Sequence, residues 1–95
     1  MPNFYVISYD LKRPGQDYDT LYEAIKGLGD WQHPLESTWL VYTDRTANEI
    51  SQTLRAEGRM DDSDLLFVCK LDPRTRQGWL ARTVWEWFKS KEIVS

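Results

Sequence analysis

Asp10 closes the apolar, β-rich run Asn3-Phe-Tyr-Val-Ile-Ser-Tyr-Asp10, and the basic, turn-forming stretch Leu11-Lys-Arg-Pro-Gly15 follows at once. A strand that delivers a carboxylate to the rim of a small sheet, beside Lys12 and Arg13, opens two kinds of chemistry. Asp10 could hold a divalent cation such as Mg2+ or Mn2+, or it could approach a phosphate backbone that Lys12 and Arg13 position. One carboxylate is a poor magnesium site by itself, because such ions take several oxygen ligands, although waters and substrate phosphate supply most of them. A twofold dimer would bring a second Asp10 to the same place. The plain alternative is a solvated strand-end acid that caps the following turn.

The other chemistry-bearing residues are weaker candidates. Asp61, Asp62 and Asp64 cluster, but the spacing lacks the Gly and distal Glu of a calcium loop, so they read as a solvated turn before a buried strand. His33 is the only histidine. Nothing in the spacing positions it against Ser37 for a Ser–His–acid arrangement, and it reads as a loop residue beside Pro34. Cys69 lies in an apolar run and reads as a small buried hydrophobe. A single cysteine excludes an internal disulfide and a cysteine-rich zinc site. Trp79, Trp85 and Trp87 with Arg82 could stack on exposed bases, although such aromatics more often form core or dimer interface. Arg74-Thr-Arg76 and Lys12-Arg13 read as exposed charges that gain meaning only if they line one groove.

The elements that must position these residues follow from periodicity. Residues 3–10 form a strand that is apolar on both faces, as in a central strand covered on both sides. Pro14-Gly15 marks a turn. Tyr18, Leu21, Tyr22, Ile25 and Leu28 make one stripe of a helix over 17–28, with Asp17 or Asp19 as its cap. Residues 31–35 are extended or irregular, and 36–43 form a second strand rich in aromatic and β-branched residues. Thr46-Ala-Asn-Glu49 fits a capping box, and the helix runs to about Ala56, with Gly58 beyond its end. Residues 65–69 read as a short buried strand ended by Pro73. Leu80, Val84, Trp87 and Phe88 predict an amphipathic helix over 78–89, with a β-arm through 84–88 as the alternative.

The 95 residues form one domain, with a core over 1–72 and a C-terminal extension over 73–95. The order of elements describes an α+β, ferredoxin-like (βαββαβ-type) domain with an appended Trp-rich helix or arm. Right-handed crossovers would put both main helices on one face of the sheet. Charged residues make up 28% and apolar residues 41%, which suits a soluble globular chain. No apolar run is long enough to span a bilayer and no secretory signal opens the chain, so a cytoplasmic, membrane-free protein is expected. Five Trp and five Tyr in so short a chain predict that aromatic surface is buried in a homodimer. The net charge of −3 argues against a globally basic nucleic-acid binder and leaves only a local patch for that role.

Three segments together carry a family resemblance. Tyr5-Val-Ile-Ser-Tyr-Asp10 resembles the first strand of the CRISPR-associated Cas-two family and of its relative, virulence-associated protein D. Glu36-Ser-Thr-Trp39 is similar to the serine-containing second strand of that superfamily, and Asp64-Leu-Leu-Phe-Val68 to its last core strand. The similarity covers roughly residues 3–72 in order and spacing. It implies a ferredoxin-like homodimer that acts on or binds RNA or DNA, in a phage-defence, toxin–antitoxin or related setting. Some members are metal-dependent endonucleases, and the resemblance carries their catalytic, metal-binding acid onto Asp10 alone. In that version Mg2+ or Mn2+ would activate water for phosphodiester cleavage, with Lys12 and Arg13 on the backbone. The alternative is a non-catalytic dimeric interaction module whose C-terminal segment docks a protein partner.

Overall fold

β1 (Asn3–Asp10) lies at the centre of a four-stranded antiparallel sheet with the order β2-β3-β1-β4. In the computed structural model, residues 2–12, 18–56 and 59–91 are described. Expectations for Arg13, Pro14, Gly15, Asp17 and Gly58 fall outside those residues. β1 pairs with β3 (Thr38–Thr43) on one side and with β4 (Leu65–Leu71) on the other, both antiparallel. β2 (Asp30–Leu35) takes the outer edge beside β3.

The alternation of β1 decides what each sheet face buries. Tyr5, Ile7 and Tyr9 face α1 (Asp19–Lys26) and α2 (Ala47–Leu54), where Leu21, Ile25, Ile50 and Leu54 are fully buried with Trp39 and Val41. Both main helices therefore pack on one face. Phe4, with Leu40 of β3, faces the opposite side and meets α3 (Arg82–Lys91) through Val84, Trp87 and Phe88. Burying each of those three side chains contributes on the order of 1.5–3 kcal/mol.

Several boundaries move for physical reasons. α1 starts at Asp19 behind Tyr18, whose side chain makes no capping bond, so Asp19 sits in the first turn and does not cap. The strand expected over 36–43 starts at Thr38, because Glu36 and Ser37 form the tight turn between β2 and β3. The irregular stretch before it is a true strand. Pro34 is tolerated there because β2 is an edge strand with a register shift between Gln32 and Leu35. Gly29 sits where this corner closes on β3, and a Cβ on it would lie 2.5 Å from the Tyr42 carbonyl oxygen. The capping box forms as expected: Glu49 N–H donates to Thr46 Oγ1 at 3.1 Å, and Thr46 N–H donates to Glu49 Oε1 at 2.9 Å.

The expectation of a buried last strand is overturned. β4 is an edge strand; Leu66 and Val68 pack on the core beneath α1 and α2, and Leu71 packs on the cluster beneath α3. Leu65, Phe67 and Cys69 point to the other face and are exposed, so Cys69 is no buried hydrophobe. The C-terminal segment is a helix and not a β-arm. It begins at Arg82, later than expected, after an irregular stretch that leaves Trp79 outside it.

Candidate nucleic-acid interface

Asp10 stands where β1 leaves the sheet, opposite Leu65. Its carboxylate is 61% exposed and ion-paired with Lys12 Nζ at 2.7 Å. The next turn is anchored by Asp64. Lys12 N–H donates to Asp64 Oδ1 at 2.7 Å, Asp61 N–H to Oδ2 at 2.8 Å, and the Tyr18 hydroxyl reaches both oxygens at 2.9 and 3.0 Å. Asp64 is only 2% exposed, which corrects the picture of a wholly solvated acidic turn. Burial pushes its carboxyl up, but the Lys12 and Asp61 amides and the Tyr18 hydroxyl outweigh it and hold the group below its ordinary value. Asp64 therefore holds β4 to the loop after β1, and its oxygens are already occupied by donors.

Among the described residues, no three His, Cys, Asp or Glu side chains converge on a point that could hold an ion. Asp10 faces a lysine, which competes for the charge a cation would need.

His33 and Ser37 do not form a nucleophilic pair. The His33 ring stacks on Trp39 with centroids 3.9 Å apart, and its Nε2 lies 3.0 Å from the Glu36 carbonyl oxygen. Trp39 Nε1 donates to the Tyr9 hydroxyl at 3.0 Å, and that hydroxyl donates to the Glu36 carbonyl at 3.3 Å. Burial raises the Tyr9 phenol, against the opposing effect of the Trp39 N–H. The cluster closes the core under the β2–β3 turn.

The residues with binding geometry lie at the other end of the sheet. Arg74 follows β4 in the 3-10 turn Pro73–Thr75 and is gripped by Asp72, with Nε to Oδ1 and Nη2 to Oδ2 both at 3.0 Å. This fork lowers Asp72 to about 2 and raises Arg74. Arg74 lines two neighbouring clefts. One, of about 570 Å³, runs between Phe4, Tyr42, Lys70 and Lys91. The other, of about 500 Å³, is bounded by Arg76, Gln77, Gly78 and Trp85. Arg76 lies over the Trp85 and Phe88 rings at 6.0 and 4.9 Å.

The three C-terminal tryptophans take different roles. Trp87 is buried. Among the described residues its Nε1 meets no acceptor within hydrogen-bond range, although it lies near enough to Asp30 to help hold that carboxyl low. The main cause of that lowering is the hydrogen-bonded ion pair from Lys91, which ties α3 to β2. Trp85 is half-buried, and Trp79 is 98% exposed. Arg82 pairs with Glu86 at 3.4 Å along the helix surface.

The chain matches no family model, no curated protein and no solved structure.

Sequence reasoning gave Lys12, Arg13, Arg74 and Arg76 meaning only if they lined one groove; Arg74 and Arg76 share a cleft, whereas Lys12 sits beside Asp10 at the opposite end of the sheet and Arg13 falls outside the described residues. It missed Lys70 and Lys91, because no local pattern tells that the end of β4 and the end of α3 meet across Phe4 and Tyr42. The arrangement offers cations for phosphate and aromatic faces for bases. Neither cleft offers an activated nucleophile.

Proposed function

We propose that this chain is a homodimeric nucleic-acid-binding protein of ferredoxin-like topology, which holds single-stranded RNA or DNA along the clefts that meet at Arg74. The observation that carries this reading is the shared Arg74, with Lys70 and Lys91 lining one cleft and Arg76 and Trp85 the other, and with the exposed Trp79 next in the chain to the lining residue Gly78. Single-strand binders combine a basic track for the backbone with aromatic platforms for the bases. The acidic net charge limits this track to a local patch. The sheet order, two helices on one face and the Cas-two-like segments support the topological assignment.

Fluorescence titration of the full chain with short single-stranded RNA and DNA tests it. Tryptophan quenching should weaken steeply with salt. Trp79→Ala should cost about 1–3 kcal/mol of affinity, the worth of one stacked base. Arg74→Ala should weaken binding and flatten its salt dependence. No binding of either nucleic acid at low salt overturns the reading.

A second reading, a divalent-metal endonuclease acting through Asp10, draws on one observation. The Asp10 carboxylate is open to solvent at the sheet rim, where a metal with its waters and a substrate phosphate could reach it.

A further inference from the structure

β4 has β1 on one side, and among the described residues no strand pairs with its other side. Leu65 is 57% exposed and Phe67 62%, with exposed Cys69 next on the same face. Proteins blunt such edges with lysines, prolines or bulges, because a free row of N–H and C=O groups templates another strand. β4 contains no proline, keeps an unbroken register with β1 from Leu65 to Leu71, and carries one lysine, near its end.

We propose that β4 pairs antiparallel with β4 of a second copy, about a twofold axis through Phe67. This rests on the homodimer reading above and gives it a surface. Opposed residues in an antiparallel pair share one hydrogen-bonding type. The axis therefore passes through a residue and not between two. Three positions near the strand centre are available. An axis through Val68 would set Asp64 against the partner's Asp72, and Leu66 against the partner's Lys70. An axis through Leu66 would set Asp64 against the partner's Val68. The axis through Phe67 sets Leu65 against the partner's Cys69, Leu66 against the partner's Val68, and Phe67 against the partner's Phe67. Each side chain from Leu65 to Cys69 then meets an apolar one. The same register brings Lys70 to the acidic turn of the other copy, where Asp62 is exposed and Asp61 half-buried, at both ends of the ribbon. The strand is thus self-complementary in charge as well as in shape, as a twofold contact requires.

The pairing has a geometric consequence. The axis stands perpendicular to the sheet, so both copies keep their α3 faces and Arg74 clefts on one side of a continuous sheet. The two Asp10 residues stand roughly 20 Å apart by strand spacing and rise. They share no ion in this dimer.

Sedimentation and disulfide trapping of the full chain test the proposal. The wild type should sediment at twice its monomer mass in the micromolar range. Phe67→Lys puts two like charges on the axis and should weaken the dimer at least tenfold with an unchanged circular dichroism spectrum. Lys70→Glu, a surface change that spares the fold, should weaken it several-fold at low salt. Under oxidation, Leu65→Cys should trap a covalent dimer through the native Cys69, whereas the wild type should not. A dimer that both Phe67→Lys and Lys70→Glu leave intact, or that wild-type Cys69 alone traps, overturns this edge while the homodimer stands. A wild-type monomer overturns both, and leaves nucleic-acid binding to be judged by its own titration.

Discussion

The Tyr18 hydroxyl donates to both carboxylate oxygens of Asp64, joining the start of α1 to the start of β4 across 46 residues of chain. The Lys12 and Asp61 amides complete the set, so one buried carboxylate closes the end of the sheet from which Asp10 emerges.

Asp64→Asn should lower stability by about 1–3 kcal/mol, because one amide nitrogen would face backbone N–H donors left without an acceptor. The melting temperature should fall by roughly 4–8 °C per kcal/mol in a domain of this size. The folded-state carboxyl of Asp64 is held below its ordinary value. Its contribution is therefore complete above the unfolded carboxylate pKa of about 3.9 and is lost as pH falls through the lower folded value. Melting curves taken from neutral pH into that acid window should show the wild type losing its advantage over Asp64→Asn. A constant difference across the window would refute this role for the carboxylate.

α3 covers Phe4 and Leu40 of its own sheet through Val84, Trp87 and Phe88. Phe88→Ala should cost about 3–5 kcal/mol. Removal of residues 73–95 should expose that sheet face and cause aggregation, as read by light scattering. A truncated chain that melts cooperatively and stays dispersed would show that α3 is an accessory and not part of the core.

Asp10→Asn should leave the melting temperature nearly unchanged, since its Lys12 pair is solvent-exposed and worth at most about 1 kcal/mol. Single-strand affinity should also be unchanged, because the Arg74 clefts lie at the opposite end of the sheet. Any Mg2+- or Mn2+-dependent cleavage by the wild type should vanish in this variant. Cleavage that persists excludes Asp10 as the metal ligand.

Local patterning carried the element order. The Thr46–Glu49 capping box, the stripe Leu21–Ile25 and the two-faced apolar character of β1 are decided by residues within a few positions of one another, and each appears where periodicity put it. The order of elements was enough to expect α1 and α2 on one face. Properties that depend on neighbours across the sheet were not legible. The run Leu65–Cys69 reads the same whether buried or exposed, and only its place at the sheet edge turned Leu65, Phe67 and Cys69 outward. Asp64 looked like its solvated neighbours Asp61 and Asp62 until Tyr18 and Lys12 closed over it. Lys91 lies far enough along the chain from Lys70 and Arg74 that no spacing rule connects it to them. Hydrophobic periodicity acts over one or two turns and sets secondary structure, whereas burial, charge pairing and clefts arise from contacts between segments brought together only when the sheet and α3 close.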